Sequence, residues 1–156
     1  MNALLIGFGT LLACQLSYAL VTVFIIQLVV PLIHKGYVGQ SLWKNIAIMT
    51  IVTLLTAAGH LIQIALWAIT LLMVGEMSTF GKAFYYSAEN YTALGYGDIV
   101  LSEQWRLLGP LEAINGLLLF GLSTAVMFAI MSRLIANRLG LRHEQADGTA
   151  ATDGGE

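Results

Sequence analysis

With 156 residues, 58% of them hydrophobic and 10% charged, a net charge of −2 and a mean hydropathy of +0.79, the chain lies outside the range of soluble domains and inside that of membrane proteins. The charge balance offers nothing to a nucleic-acid backbone, and a single cysteine, Cys14, leaves no intrachain disulfide or cysteine metal centre to build. Metalloprotease HExxH, phosphate-loop and nucleophile-elbow patterns are missing too, so no enzyme is expected.

Three stretches satisfy the requirement of about 20 apolar residues for a bilayer crossing. They are Ala3–Leu32, Asn45–Gly75 and Leu107–Leu134. Met1 to Ile33 carries no charged side chain, so it reads as a membrane helix ending near Pro31, not as a secretory leader. Cys14 is expected to fill space on a lipid-facing surface of that helix. A short basic loop from His34 to Lys44 leads to the second span, whose one titratable group is His60. Histidine titrates near neutrality, so His60 is a candidate pH sensor. The other reading is a neutral ring hydrogen-bonded to Gln15 or Gln27 on the first helix.

Between the second and third spans lies a mixed-charge segment from Glu76 to Arg106. It contains an amphipathic run, Phe80 to Tyr91, and then Thr92-Ala93-Leu94-Gly95-Tyr96-Gly97-Asp98. Non-helical backbone at membrane depth is tolerated only where protein buries it or where it lines a watery path. Gly95 and Gly97 can take positive φ cheaply, which lets successive carbonyls face one side, and a ring of carbonyls can replace the hydration shell of a monovalent cation. An apolar re-entrant turn without an ion path is the plainer alternative.

The third span contains Glu112 and Asn115, polar groups that inside a membrane mark a functional site or a hydrogen-bonded support. Leu117, Phe120, Thr124 and Phe128 recur at helical spacing, a pattern shared by cavity-lining and core-packing stripes. Gly116 permits either a hinge or close packing, as does Gly121. Arg133, Arg138 and Arg142 follow, and residues 139–156 are expected to form a disordered cytoplasmic tail. Lys35 and Lys44 fall on the same side as these arginines if the chain crosses three times. Basic loops favour the cytoplasm, so the N-terminus and the glycine-rich loop are expected outside and the C-terminus inside. No span carries the regularly spaced arginines of an S4-type voltage sensor.

The glycine-rich segment resembles the selectivity filter of the tetrameric potassium-channel superfamily, Thr-(Val/Ile)-Gly-(Tyr/Phe)-Gly-Asp. Tyr85-Tyr86-Ser87-Ala88-Glu89 is similar to its pore helix, and Gly116 through Ala125 to the inner helix of prokaryotic two-helix pores, with Trp105 near that helix's start. The resemblance covers roughly 45–135. It implies an all-α membrane protein with an outer helix (45–76), pore helix and filter (79–98) and inner helix (105–138), preceded by an extra peripheral helix (1–34). It also implies a homotetramer in the prokaryotic plasma membrane, with lipids and no soluble ligand domain, conducting K⁺ through the carbonyls of Ala93, Leu94, Gly95 and Tyr96. No cofactor is expected; K⁺ is the permeant ion.

By the same resemblance, Thr92 ends the pore helix and Tyr96 points off-axis to pack on pore-helix aromatics such as Tyr86. Glu89 sits behind the filter, near enough to Asp98 to share a proton; the alternatives are a helix-end acid and a solvated turn residue. Glu112 is a support behind the filter, and Leu117, Phe120, Thr124 and Phe128 line the cavity and gate. Ala93 departs from the family's second threonine and Leu94 from its valine or isoleucine. A poorly selective cation channel is therefore an alternative, as is a non-conducting scaffold with a pore-like fold.

Overall fold

The computed structural model describes residues 2–34 and 41–153, with side chains at 2–31 and 41–136. Regular structure among them is helical throughout: α1 (Asn2–His34), α2 (Leu42–Met73), α3 (Phe80–Tyr91) and α4 (Leu108–Asp153). α1, α2 and the first 29 residues of α4 are each long and apolar enough to cross a membrane. Lys35 lies outside the described residues, as do the side chains of His34, Arg138 and Arg142.

Local chemistry sets the boundaries. α1 carries Pro31 inside it and ends at His34. α2 ends in a Schellman turn: the Gly75 amide donates to Leu72 O and the Glu76 amide to Leu71 O, both at 3.1 Å, with Gly75 at φ +77°. This stops the outer helix at Met73, short of the expected residue 76. Thr79 caps α3 by accepting from the Lys82 amide at 3.4 Å. α4 starts at Leu108, later than the expected 105, after a helical turn in which the Trp105 and Arg106 amides donate to Ser102 O.

Of the tail expected beyond residue 138, the backbone is described as far as residue 153. α4 runs on to Asp153, through a stretch in which Leu141, Arg142, Glu144, Gln145 and Ala146 are good helix formers.

α1 packs on both α2 and α4, and α3 is held between α2 and α4. Gly59 lets α1 and α2 approach, since a β-carbon there would come within 3.1 Å of Val21. The main core gathers Cys14 and Tyr18 from α1, Trp67 and Leu71 from α2, Ala83, Tyr86 and Tyr91 from α3, and Leu108 and Leu119 from α4. A smaller cluster of Ile25, Val29, Val52, Ile130 and Leu134 closes the other end. Cys14 is thus in the core and fully buried, not lipid-facing, because the face of α1 that carries it is covered by the other helices. Leucines on the opposite face of α1 (Leu5, Leu12, Leu16, Leu20) stay exposed, as a lipid-facing surface requires.

Candidate functional site

α3 ends at Tyr91 and is capped by Thr92, whose hydroxyl donates to Ala88 O at 2.7 Å. The chain then folds back on the helix it has just left. The Ala93 amide donates to Asn90 O at 2.9 Å, and the Leu94 and Gly95 amides donate to Glu89 O at 2.8 and 3.4 Å. All peptides among the described residues are trans, so each of these N–H groups points opposite to the carbonyl in its own peptide unit. The carbonyls of Thr92, Ala93 and Leu94 are therefore directed away from α3.

Ala93, Gly95 and Gly97 have φ of +56°, +56° and +76°, while Leu94 and Tyr96 between them keep negative φ. Alternation of handedness is what sets successive amides on one side of a chain and carbonyls on the other. No atom lies within 4 Å of where a β-carbon would sit on Gly95 or Gly97, so the backbone angle, not space, calls for glycine there. The whole run 92–98 is exposed on the single subunit, although it lies between two membrane spans.

At Gly116 the backbones of α3 and α4 come into close contact. A β-carbon on it would stand 1.8 Å from Tyr91 O and 2.8 Å from the carbonyl carbon. The end of α3 rests directly on the α4 backbone at this point, which is the close-packing alternative. Gly121 has nothing within 4 Å and faces open space on the subunit.

The expected cavity stripe divides. Leu117 (58% exposed), Thr124 and Phe128 (67% exposed) lie on the open face of α4. Phe120 does not: its ring lies 4.5 Å from the His60 ring and 5.4 Å from Tyr91, inside the subunit. Spacings of three and four residues drift around a helix, and at position 120 the drift reaches the core.

Tyr96 is 69% exposed, and no ring contact joins it to Tyr86 within the described subunit. Tyr86 is buried instead against Asn90 and the start of α4, its hydroxyl 2.9 Å from where a Gly109 β-carbon would be. Glu89 is buried, with Oε1 lacking a hydrogen-bond partner, and Asp98 Oδ1 accepts from the Ile99 amide at 3.1 Å. No hydrogen bond joins the two carboxylates. What they have in common is Tyr85, an exposed residue of α3 whose hydroxyl both carboxylates adjoin, Asp98 the more strongly. The working part of Glu89 is its backbone carbonyl, which anchors the returning loop.

Glu112 is fully buried on α4 beside Ser87 of α3, behind the loop. Neither of its carboxyl oxygens, nor the Asn115 amide, nor Ser87 Oγ, finds a hydrogen-bond partner of normal geometry. His60 bonds neither Gln15 nor Gln27; it bonds Tyr91 Oη and Ser123 Oγ, each at 2.8 Å.

Two features escape a reading of the residues alone. Glu76 clasps the far side of the loop, with Oε2 accepting from the Ser102 amide at 2.9 Å and Oε1 from its hydroxyl at 2.6 Å. Gln63, fully buried in α2, pairs with Ser17 of α1 at 3.1 Å. No local pattern links positions so far apart. Glu76→Ala should lower the melting temperature by a few degrees, since two hydrogen bonds to an exposed carboxylate are worth about 1–3 kcal/mol; circular dichroism in detergent measures it.

Three membrane-crossing helices, with a half-length helix and an exposed carbonyl-bearing turn folded between the second and third, define a multi-pass helical membrane protein with a re-entrant loop. Residues 57–133 match the family model described as "Ion channel". No curated protein and no solved structure matches the chain. The match spans His60, the re-entrant segment and α4 as far as Arg133, and leaves α1 outside.

Proposed function

We propose that this ion channel conducts potassium passively, through a filter made where four identical chains bring residues 92–98 around a common axis. The observation that supports it most is the direction of the Thr92, Ala93 and Leu94 carbonyls, turned from α3 by amides tied to Glu89 and Asn90. One strand cannot surround an ion, and the exposure of this run on a lone subunit leaves it available to symmetry-related copies. Stacked carbonyl rings then exchange with the hydration shell of a monovalent cation, and ions pass by multi-site hopping. The open face of α4, with Leu117, Thr124 and Phe128, lines the approach from the inner side. In the assembly Tyr96, bare on its own subunit, packs against a neighbouring chain. The protein sits in a prokaryotic plasma membrane with its N-terminus and filter mouth outside.

Ala93 favours a second reading, a poorly selective monovalent cation channel, because it removes the hydroxyl ring that the family's threonine provides. A bi-ionic bilayer recording of the purified protein tests both. A reversal potential near the potassium equilibrium value supports potassium selectivity; one near zero supports the second reading. Ala93→Thr is expected to shift the reversal potential towards potassium. Absence of any cation flux in liposomes containing this protein alone would leave the scaffold role.

A further inference from the structure

The extra helix α1 lies outside the matched family region, yet a chain of buried and half-buried polar side chains connects it to the end of α3. Tyr18 of α1 hydrogen-bonds Ser123 of α4 through their hydroxyls. Ser123 Oγ also meets His60 Nε2 of α2 at 2.8 Å, and His60 Nδ1 meets Tyr91 Oη of α3 at 2.8 Å. All four helices contribute one member.

Donor accounting gives the chain a direction. Ser123 Oγ donates its only proton to Leu119 O at 2.6 Å, so it accepts from its other two partners. Tyr18 O–H and His60 Nε2–H are then the donors. With the ring proton on Nε2, Nδ1 is bare and accepts from Tyr91 O–H. A neutral imidazole satisfies every member, with no proton left over. The ring is held from its faces and edges as well: Tyr18 stacks at 5.3 Å, Phe120 lies at 4.5 Å and Tyr91 at 5.8 Å.

The chain ends at a sensitive place. Tyr91 is fully buried, is the last residue of α3, and seats its backbone carbonyl on Gly116. The carbonyls of the two residues before it, Glu89 and Asn90, hold the amides of Ala93, Leu94 and Gly95. A small displacement of Tyr91 therefore moves the anchor of the carbonyl-bearing turn.

We propose that Tyr18, Ser123 and His60 are positioning residues for the filter, and that α1 acts through them as a brace whose placement in the bilayer the filter reads. This rests on residues 92–98 being the ion path. Removing any link loosens Tyr91 without touching a group that meets the ion.

The test uses the full chain in planar bilayers, with the sodium-to-potassium permeability ratio and the open dwell time as readouts. Tyr91→Phe, His60→Leu and Tyr18→Phe should each change them in the same direction, by about three- to tenfold, the effect of one lost buried hydrogen bond. His60→Gln keeps a donor and an acceptor and should recover most of the His60→Leu loss. The double variant Tyr18→Phe/Tyr91→Phe should do no more than the larger single, because both cut one chain. Thr10→Val breaks the α1 to α2 hydroxyl contact with Thr70, outside the chain, and should leave both readouts unchanged. Wild-type flux with Tyr18→Phe unaltered, or with effects of the two tyrosines that simply add, overturns the brace alone. A wild type that passes no cation overturns the channel reading and the brace with it. Tyrosine-to-phenylalanine changes keep ring packing, so retained helix content and elution volume separate a loosened filter from a misfolded chain.

Discussion

Replacing Gly116 with alanine is expected to prevent normal folding or assembly. The added methyl would sit 1.8 Å from the Tyr91 carbonyl oxygen and 2.8 Å from its carbon, well inside van der Waals contact. These are backbone atoms at the end of α3, so no rotamer change relieves the overlap; α3 and α4 must separate. Overpacking of this kind costs about 3 kcal/mol in each subunit, a large part of the stability of a small domain. Displaced in this way, Glu89 and Asn90 can no longer hold the amides of residues 93–95 in place. A melting temperature lower by about 10 °C in detergent is the expected measurement. If Gly116 served only as a hinge, alanine would instead preserve the fold and alter gating alone.

Gly95→Val should have the opposite profile, an intact subunit with lost conduction. Nothing lies within 4 Å of the Gly95 β-position on its own subunit, so no clash with the bundle follows. The obstacle is the backbone angle of +56°, which a β-branched residue resists at about 1–2 kcal/mol. Relief requires φ to become negative, and that ends the alternation of handedness over Ala93, Gly95 and Gly97. Carbonyls that shared one side then diverge. Far-ultraviolet dichroism of the variant should match the wild type, while liposome flux falls to background. Undiminished flux would show that the carbonyl arrangement is not the ion path. The pair of variants separates what holds the loop in place from what the loop does.

Ala93 refines this picture. It already occupies φ +56° with a β-carbon, so the turn tolerates one unbranched side chain in the left-handed region. Tying the Leu94 and Gly95 amides to a single acceptor, Glu89 O, is what holds it there. That carbonyl would be hard to find from sequence, since every residue has one and only the fold decides which is used.

Composition and periodicity determined a good deal. Three apolar runs of membrane-spanning length announced three crossings, and the amphipathic stretch from Phe80 to Tyr91 matched α3 at both ends. The order of Thr92, Gly95, Tyr96, Gly97 and Asp98 pointed to a channel through its resemblance to a family filter, while the positive φ of Gly95 and Gly97 is a local property that glycine itself encodes. Element ends depended on turn chemistry: Gly75 closed α2 early, and Pro31 did not close α1.

Tertiary structure alone decided which faces met. It buried Cys14 and turned Phe120 towards His60 and Tyr91, although pattern had turned both outward, and it seated Tyr91 on Gly116. It joined Tyr18, Ser123, His60 and Tyr91, residues as much as 105 positions apart. The physical reason is that an apolar helix in a membrane carries hydrophobic groups all round, so hydrophobicity no longer marks the buried side. Small residues and hydrogen bonds select it, and they act only once helices distant in sequence lie side by side.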